Sequence, residues 1–185
     1  MKKPLTTCII LMFLISVGNS VAFAITISKK NYFAINYNFI WPHKELKEIV
    51  NGRLGKGIAV DWENYSFKNV PLKITLQYNE WDKGISNYKD WQTGKIQHLK
   101  LSLGWVEHIQ KARKGFYGVL YLAMSKWRVE KDGKFFLSTT KIYPDVELGY
   151  IFKNNWIISF RGIGTLHLTK DIKINTTQIS FGKRF

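Results

Sequence analysis

Apolar and polar residues alternate with a period of two through eight segments of this 185-residue chain, and the polar set carries full charges. Period two sends successive side chains to opposite faces of a strand, so each segment reads as a strand between two different environments. The segments are residues 32–41, 57–67, 72–81, 95–106, 115–129, 140–152, 156–167 and 172–185. In the first, Phe33, Ile35, Tyr37, Phe39 and Trp41 oppose Ala34, Asn36 and Asn38. In the second, Ile58, Val60 and Trp62 oppose Ala59, Asp61 and Glu63. The third sets Leu72, Ile74, Leu76 and Tyr78 against Lys73, Thr75, Gln77 and Asn79. The fourth sets Leu99, Leu101, Leu103 and Trp105 against His98, Lys100, Ser102 and Gly104. The sixth opposes Val146, Leu148, Tyr150 and Phe152 to Asp145, Glu147 and Gly149, and Pro144 predicts a late start or a bulge there. The seventh opposes Trp156, Ile158 and Phe160 to Ser159 and Arg161. The fifth is apolar on both faces; its pattern is read with Tyr117, Val119, Tyr121 and Trp127 outward and Gly118, Lys126 and Arg128 inward.

Which face is the inside decides the class. Asp61, Glu63, Lys73, Lys100, Asp145, Glu147, Arg161 and Arg184 all fall on the polar face. Aromatics gather near strand ends on the apolar face. The last strand sets Thr177, Ile179, Phe181, Lys183 and Phe185 against Gln178, Ser180, Gly182 and Arg184, so the chain stops on an apolar-face aromatic. A soluble barrel has little reason for such an end, whereas a membrane barrel places aromatics at its interfaces. The expected fold is all-β: an eight-stranded antiparallel up-and-down transmembrane β-barrel with a polar lumen. Eight strands leave an interior that side chains can fill. With both signs of charge present, the eight charged residues predict a lumen ion-pair network, because ions removed from water need partners.

Residues 1–24 read as a signal peptide, with Lys2 and Lys3 at its start, an apolar run from Cys8 to Val17 and an Ala22-Phe23-Ala24 cleavage site. Residues 25–185 then form one barrel domain. Cys8 is the only cysteine, so disulfides and thiolate chemistry are excluded from that domain. The formal charge is +15, of which Lys2 and Lys3 carry two. Such a charge ordinarily suggests nucleic acid, but export excludes it and leaves lipopolysaccharide phosphates, membrane surfaces and acidic host glycans. His43, His98, His108 and His167 have no metal-ligand spacing, and neither a metal nor a cofactor is expected.

The whole exported segment resembles the small eight-stranded outer-membrane barrels, of the OmpA transmembrane-domain and OmpX/Ail type. The signal peptide carries the resemblance, with Pro144 to Phe152, the Asn154-Asn155 turn and Trp156, and the ending Ile179 to Phe185. It implies an outer-membrane location in a Gram-negative bacterium and a monomer among lipid and lipopolysaccharide. It also implies a C-terminal assembly signal in Ile179, Phe181 and Phe185, read by the barrel-assembly machinery. Lys183 stands where that family often has an aromatic.

With entry from the periplasm, residues 42–56, 82–94, 130–139 and 168–171 become outer loops, and 68–71, 107–114 and 153–155 periplasmic links. A helical turn is expected within 107–114, and a short amphipathic helix over 44–50. Lys44, Lys47, Arg53, Lys56, Lys83 and Lys89 are the candidate anion-binding residues of the outer loops, with Tyr88 and Trp91 as accompanying aromatics. Trp41 and Trp127 are expected at the outer interface, and Trp105, Tyr117, Phe152, Trp156 and Phe185 at the periplasmic one. The leading function is non-enzymatic, structural or surface-binding. A lipid A-modifying enzyme and a small solute pore are the alternatives. For the enzyme, His98 and Ser102 share a face but stand about 14 Å apart, too far for a direct hydrogen bond. No His-x-Ser-Asn or Asp-Ser motif is present; Met124-Ser125-Lys126 stands at the closest-looking place, and His167 would need a serine from another strand.

Overall fold

A strand that is half charged and half apolar cannot pack both faces into one core, and closure into a ring separates the two. The computed structural model describes residues 31–65, 71–109 and 114–185. They form β1 (Asn31–His43), α1 (Lys44–Ile49), β2 (Gly55–Asn64), β3 (Leu72–Ile85) and β4 (Thr93–His108). β5 (Gly115–Lys131), β6 (Lys134–Ile151), β7 (Trp156–His167) and β8 (Lys173–Arg184) follow. Each strand pairs antiparallel with the next, and β8 closes on β1 from Ala34↔Arg184 to His43↔Asn175. The result is a closed eight-stranded up-and-down barrel with no free sheet edge around most of its girth.

The polarity is inverted. Leu101, Leu103, Leu120, Leu122, Leu148, Phe160 and Phe181 are exposed on the outside. Asp61, Lys73, Lys100, Asp145 and Arg161 are buried inside. An apolar exterior around a polar interior suits hydrocarbon as the outer solvent. Among the described residues no helix is long and apolar enough to cross a membrane.

One end carries α1, residues 86–92, the Asp132-Gly133 turn and residues 168–172; it is the loop end. The other carries Asn31, Phe185 and the links between β2 and β3, β4 and β5, and β6 and β7; it is the terminus end. Asn155 takes a left-handed φ of 67° in the β6–β7 turn, which Asn tolerates better than most residues. The expected helical turn within 107–114 and the link at 68–71 fall largely outside the described residues, as does the signal peptide.

Two strands differ from expectation. In β5 the inward set is Tyr117, Val119, Tyr121, Ala123 and Trp127, all buried. Phe116, Leu120, Leu122 and Met124 face outward, followed by Lys126 and Arg128. The cause lies on the neighbouring strands. Gly104 of β4 and Gly149 of β6 leave room inside, and a β-carbon at either would collide with the Tyr121 or Tyr117 ring. Trp127 and Tyr117 therefore leave the expected girdles, while Trp41, Trp105, Phe152, Trp156 and Phe185 are exposed on the outer face. β6 starts at Lys134, so the expected loop over 130–139 shrinks to a two-residue turn. Pro144 does not interrupt β6, because the β7 partners begin only at Val146↔Gly162. Pro144 lies on a local edge, where a missing N–H costs no ladder bond.

Candidate functional site

The interior of the barrel holds two differently built regions. The first is a charged layer. Lys73 on β3 places its Nζ 2.9 Å from Asp61 and 3.0 Å from Glu147, with Glu63 at 3.9 Å. Arg161 on β7 reaches Glu147 at 2.5 Å and Asp145 at 3.7 Å. Lys100 pairs with Asp145 at 2.8 Å, and Arg184 with Glu63 at 3.4 Å. All eight charged residues are buried, four acids against four bases, so the layer is formally neutral. Neutral groups complete it. Tyr117 and Tyr121 donate to Glu147 at 2.6 and 2.9 Å, and Thr75 and Asn36 donate to Asp61 at 2.7 and 2.8 Å. The Arg161 guanidinium also lies over the Tyr121 ring, 4.2 Å from its centroid.

The space left in this layer is small. A cavity of about 10 Å³ is lined by Asn36, Gln77, Arg161 and Gln178 among others. That is about the room one water needs. The charged and polar side chains of the layer crowd around this space.

The second region is an apolar cap at the loop end. Leu46 and Ile49 of α1, then Val50, point into it and are fully buried. Trp81, Ile96 and Trp127 rise from the strands, and Tyr88, Trp91, Leu168 and Ile172 come down from the loops. Trp127 stacks on His98 with ring centroids 3.8 Å apart and on Trp81 at 6.2 Å. Its indole N–H donates to Ser125 at 2.7 Å. Backbone and side-chain bonds tie the loops to one another. The Asn87 N–H donates to the Glu48 carbonyl at 2.9 Å, and the Tyr88 hydroxyl to the Asp171 carbonyl at 2.6 Å. The Asp132 carboxylate accepts from the N–H groups of Gln92 and Thr93, both at 2.9 Å. Tyr88 and Trp91 are thus core residues of the cap, not the surface aromatics expected from a basic loop.

Lys44, Lys47, Arg53, Lys56, Lys83 and Lys89 all stay exposed on the outside of this cap. They do not form one patch. Arg53 donates to the Lys83 carbonyl at 3.1 Å, which brings those two together. Lys44 donates to Thr165 of β7 at 2.8 Å. Lys56 lies on β2 opposite Glu80. Lys83 pairs with Glu130 at 3.4 Å and Lys89 with Asp171 at 3.9 Å, both exposed enough to be weak. Lys131, absent from the sequence reading, hydrogen-bonds Asp90 at 2.8 Å and so holds that carboxyl below its ordinary range.

The catalytic candidates are enclosed. His98 is buried beneath Trp127, its Nδ1 3.0 Å from the Asn79 amide, and Ser102 is buried as well. The other histidines are scattered. His43 lies 3.0 Å from Thr177, His108 lies 2.5 Å from Tyr65, and His167 is exposed near the end of β7. At the terminus end Ile179, Phe181 and Phe185 share the outward face of β8 with Lys183. The Lys183 ammonium lies 5.8 Å from the Trp156 ring centroid and 5.9 Å from that of Phe185.

No family model and no curated protein matches the chain. Solved structures do resemble it. Ail, the attachment invasion locus protein of Yersinia pestis, in complex with the heparin analogue sucrose octasulfate, aligns with a TM-score of 0.53 at 14% identity. That alignment covers 84% of this chain and 98% of Ail. The same protein in a phospholipid bilayer nanodisc aligns with a TM-score of 0.52 at 12% identity, over 84% of this chain and 100% of Ail. Neisserial surface protein A gives 0.49 at 17% identity, over 83% of this chain and 95% of that one. At these identities the likeness is one of fold: the closed eight-stranded antiparallel barrel of small outer-membrane proteins.

Proposed function

We propose that this barrel, with the fold of small outer-membrane proteins, sits in the outer membrane of a Gram-negative bacterium and binds polyanions without catalysis. Residues 1–24 direct export, and the outward aromatics of β8 serve assembly. The loop end faces outside. Its basic residues hold lipopolysaccharide phosphates or sulfated glycans at the cell surface.

The observation that carries this reading is the combination at the loop end. Lys44, Lys47, Arg53, Lys56, Lys83 and Lys89 are exposed around the loop end, on α1, the loops and the adjoining strand ends, beside a buried apolar cap that ties the loops together. Loops held in one conformation lose less entropy on binding than free ones, so modest charge pairs can add up. The heparin analogue bound by Ail, a barrel of the same fold, is a polyanion of the kind such a surface would take. The crowded charged layer and the enclosed His98 and Ser102 favour this reading over a pore or a lipid A-modifying enzyme.

Heparin binding by the barrel in nanodiscs tests it. Combined Lys44→Ser, Lys47→Ser, Arg53→Ser and Lys56→Ser should weaken binding by about tenfold or more, about 1.4 kcal/mol. Folding should survive, because all four side chains are exposed. Binding should also fade with salt, since exposed charges are screened over about 8 Å at physiological ionic strength. Wild-type barrel that ignores heparin, or binding indifferent to both changes, would overturn the proposal.

A further inference from the structure

Near the terminus end, six outward positions on β4, β5 and β6 form two rows. Trp105, Leu120 and Val146 make one row, and Glu107, Gly118 and Leu148 the next. Gly118 sits at the centre of the second row without a side chain, and a groove of about 290 Å³ opens there, lined by these residues. Nothing inside the fold demands this glycine. Its φ lies outside the left-handed region, and a β-carbon there would meet Leu148 Cδ2 at 3.5 Å and the Glu147 carbonyl oxygen at 4.0 Å, both ordinary contacts. Gly104 and Gly149 differ, because the Tyr121 and Tyr117 rings occupy the space they leave. The space at Gly118 is filled by no part of the described chain.

The groove is lined almost wholly by apolar surface, with Glu107 at its rim. Leu120, Val146 and Leu148 are exposed hydrophobics of the outer belt. Glu107 is exposed and enters no ion pair among the described residues, whereas Glu80, outward on β3, is held by Lys95 at 3.0 Å. A carboxylate at the edge of hydrocarbon is unfavourable unless a cation meets it. Phe116 is the next outward residue toward the strand end, and Trp105 flanks the groove, so the site lies at the level where aromatics mark a membrane interface.

We propose that this groove holds one phospholipid with a primary-amine headgroup, of the phosphatidylethanolamine class, drawn from the leaflet at the terminus end. An acyl chain lies in the space left by Gly118, against Leu120, Val146 and Leu148, and the ammonium meets the Glu107 carboxylate. The volume falls just below the range of about 300–1,000 Å³ for small-molecule pockets, which suits a segment of chain rather than a whole lipid. The carboxylate selects against anionic phosphatidylglycerol of the same chain length. The inference rests on the membrane placement proposed above.

Native mass spectrometry of the barrel, released from detergent with equal amounts of phosphatidylethanolamine and phosphatidylglycerol bearing the same chains, tests the site. Wild type should retain one phosphatidylethanolamine in preference to phosphatidylglycerol. Gly118→Leu should reduce that retention by about tenfold or more by filling the groove. Glu107→Gln should keep the lipid but equalise the two headgroups. Equal retention by wild type overturns the proposal, and so does a Gly118→Leu barrel that still retains phosphatidylethanolamine normally. So does a Glu107→Gln barrel that keeps the preference, which decides the matter even where Gly118→Leu does not fold. Flotation with lipid vesicles reads the membrane placement separately. A wild type that fails to insert overturns placement and site together, while loss of preference in an inserted barrel overturns the site alone.

Discussion

The charged layer and the aromatic cap fill the same ring of strands by opposite means. In the layer, Lys73, Arg161, Glu147 and Asp61 are buried with partners at 2.5 to 3.0 Å. In the cap, Leu46, Ile49 and Trp81 are buried in apolar packing, and Trp127 adds a single hydrogen bond, to Ser125. The surroundings explain the difference. On the proposed membrane placement the layer lies within the apolar belt, where burying apolar groups would gain little from water. On the same placement the cap stands past the belt, where water drives apolar side chains together as in a soluble core. One chain thus carries a charged interior and an apolar interior end to end.

The largest effect should come from breaking the layer. Lys73→Met removes the ammonium shared by Asp61, Glu63 and Glu147. Leaving such carboxylates unpaired should cost about 3–5 kcal/mol, read as a lower urea midpoint for the barrel in detergent. A midpoint equal to wild type would mean that water enters the layer. In the cap, Leu46→Ala should cost about 3 kcal/mol through an unfilled cavity, and should expose the loops to protease while the barrel stays closed. Loss of the barrel signal together with the loops would show the two regions to be one cooperative unit.

A smaller change sharpens the comparison. Tyr117→Phe removes the 2.6 Å hydrogen bond to Glu147 but keeps the ring beside Gly149. It should cost about 1.5–3 kcal/mol, the range for hydrogen bonds to charged groups. The smallest effect is expected at Lys126 and Arg128. Both face outward, so Lys126→Ser or Arg128→Ser should shift stability by no more than about 0.5 kcal/mol. A large loss at either would return these residues to the lumen.

The legibility of this chain followed its charges. β2, β3, β4 and β6 alternate full charges with Leu, Ile and Val, so each had one consistent reading, and the barrel followed from their sum. The alternation of β5 carries no phase, because both its faces are apolar over residues 116–124. Its phase is set by the space that Gly104 and Gly149 leave on the neighbouring strands and by Glu147, which accepts both tyrosine hydroxyls. The eight lumen charges were nameable from alternation, but their pairing was not. It depends on which residues face one another across the closed ring, as Lys73 and Glu147 do from β3 and β6. Trp91 and Tyr88 looked like surface aromatics because their partners, α1 and residues 168–172, lie far away in sequence.

Single-cysteine scanning of β5 in bilayers containing brominated lipid tests the central claim most directly, since Cys8 is the only cysteine in the sequence. A fluorophore at position 116, 120, 122 or 124 should be quenched by the lipid, and one at 117, 119, 121 or 123 should not. The same alternation with the opposite phase, or quenching at both sets, would contradict a barrel with a lipid-facing apolar exterior and a sealed, charged interior.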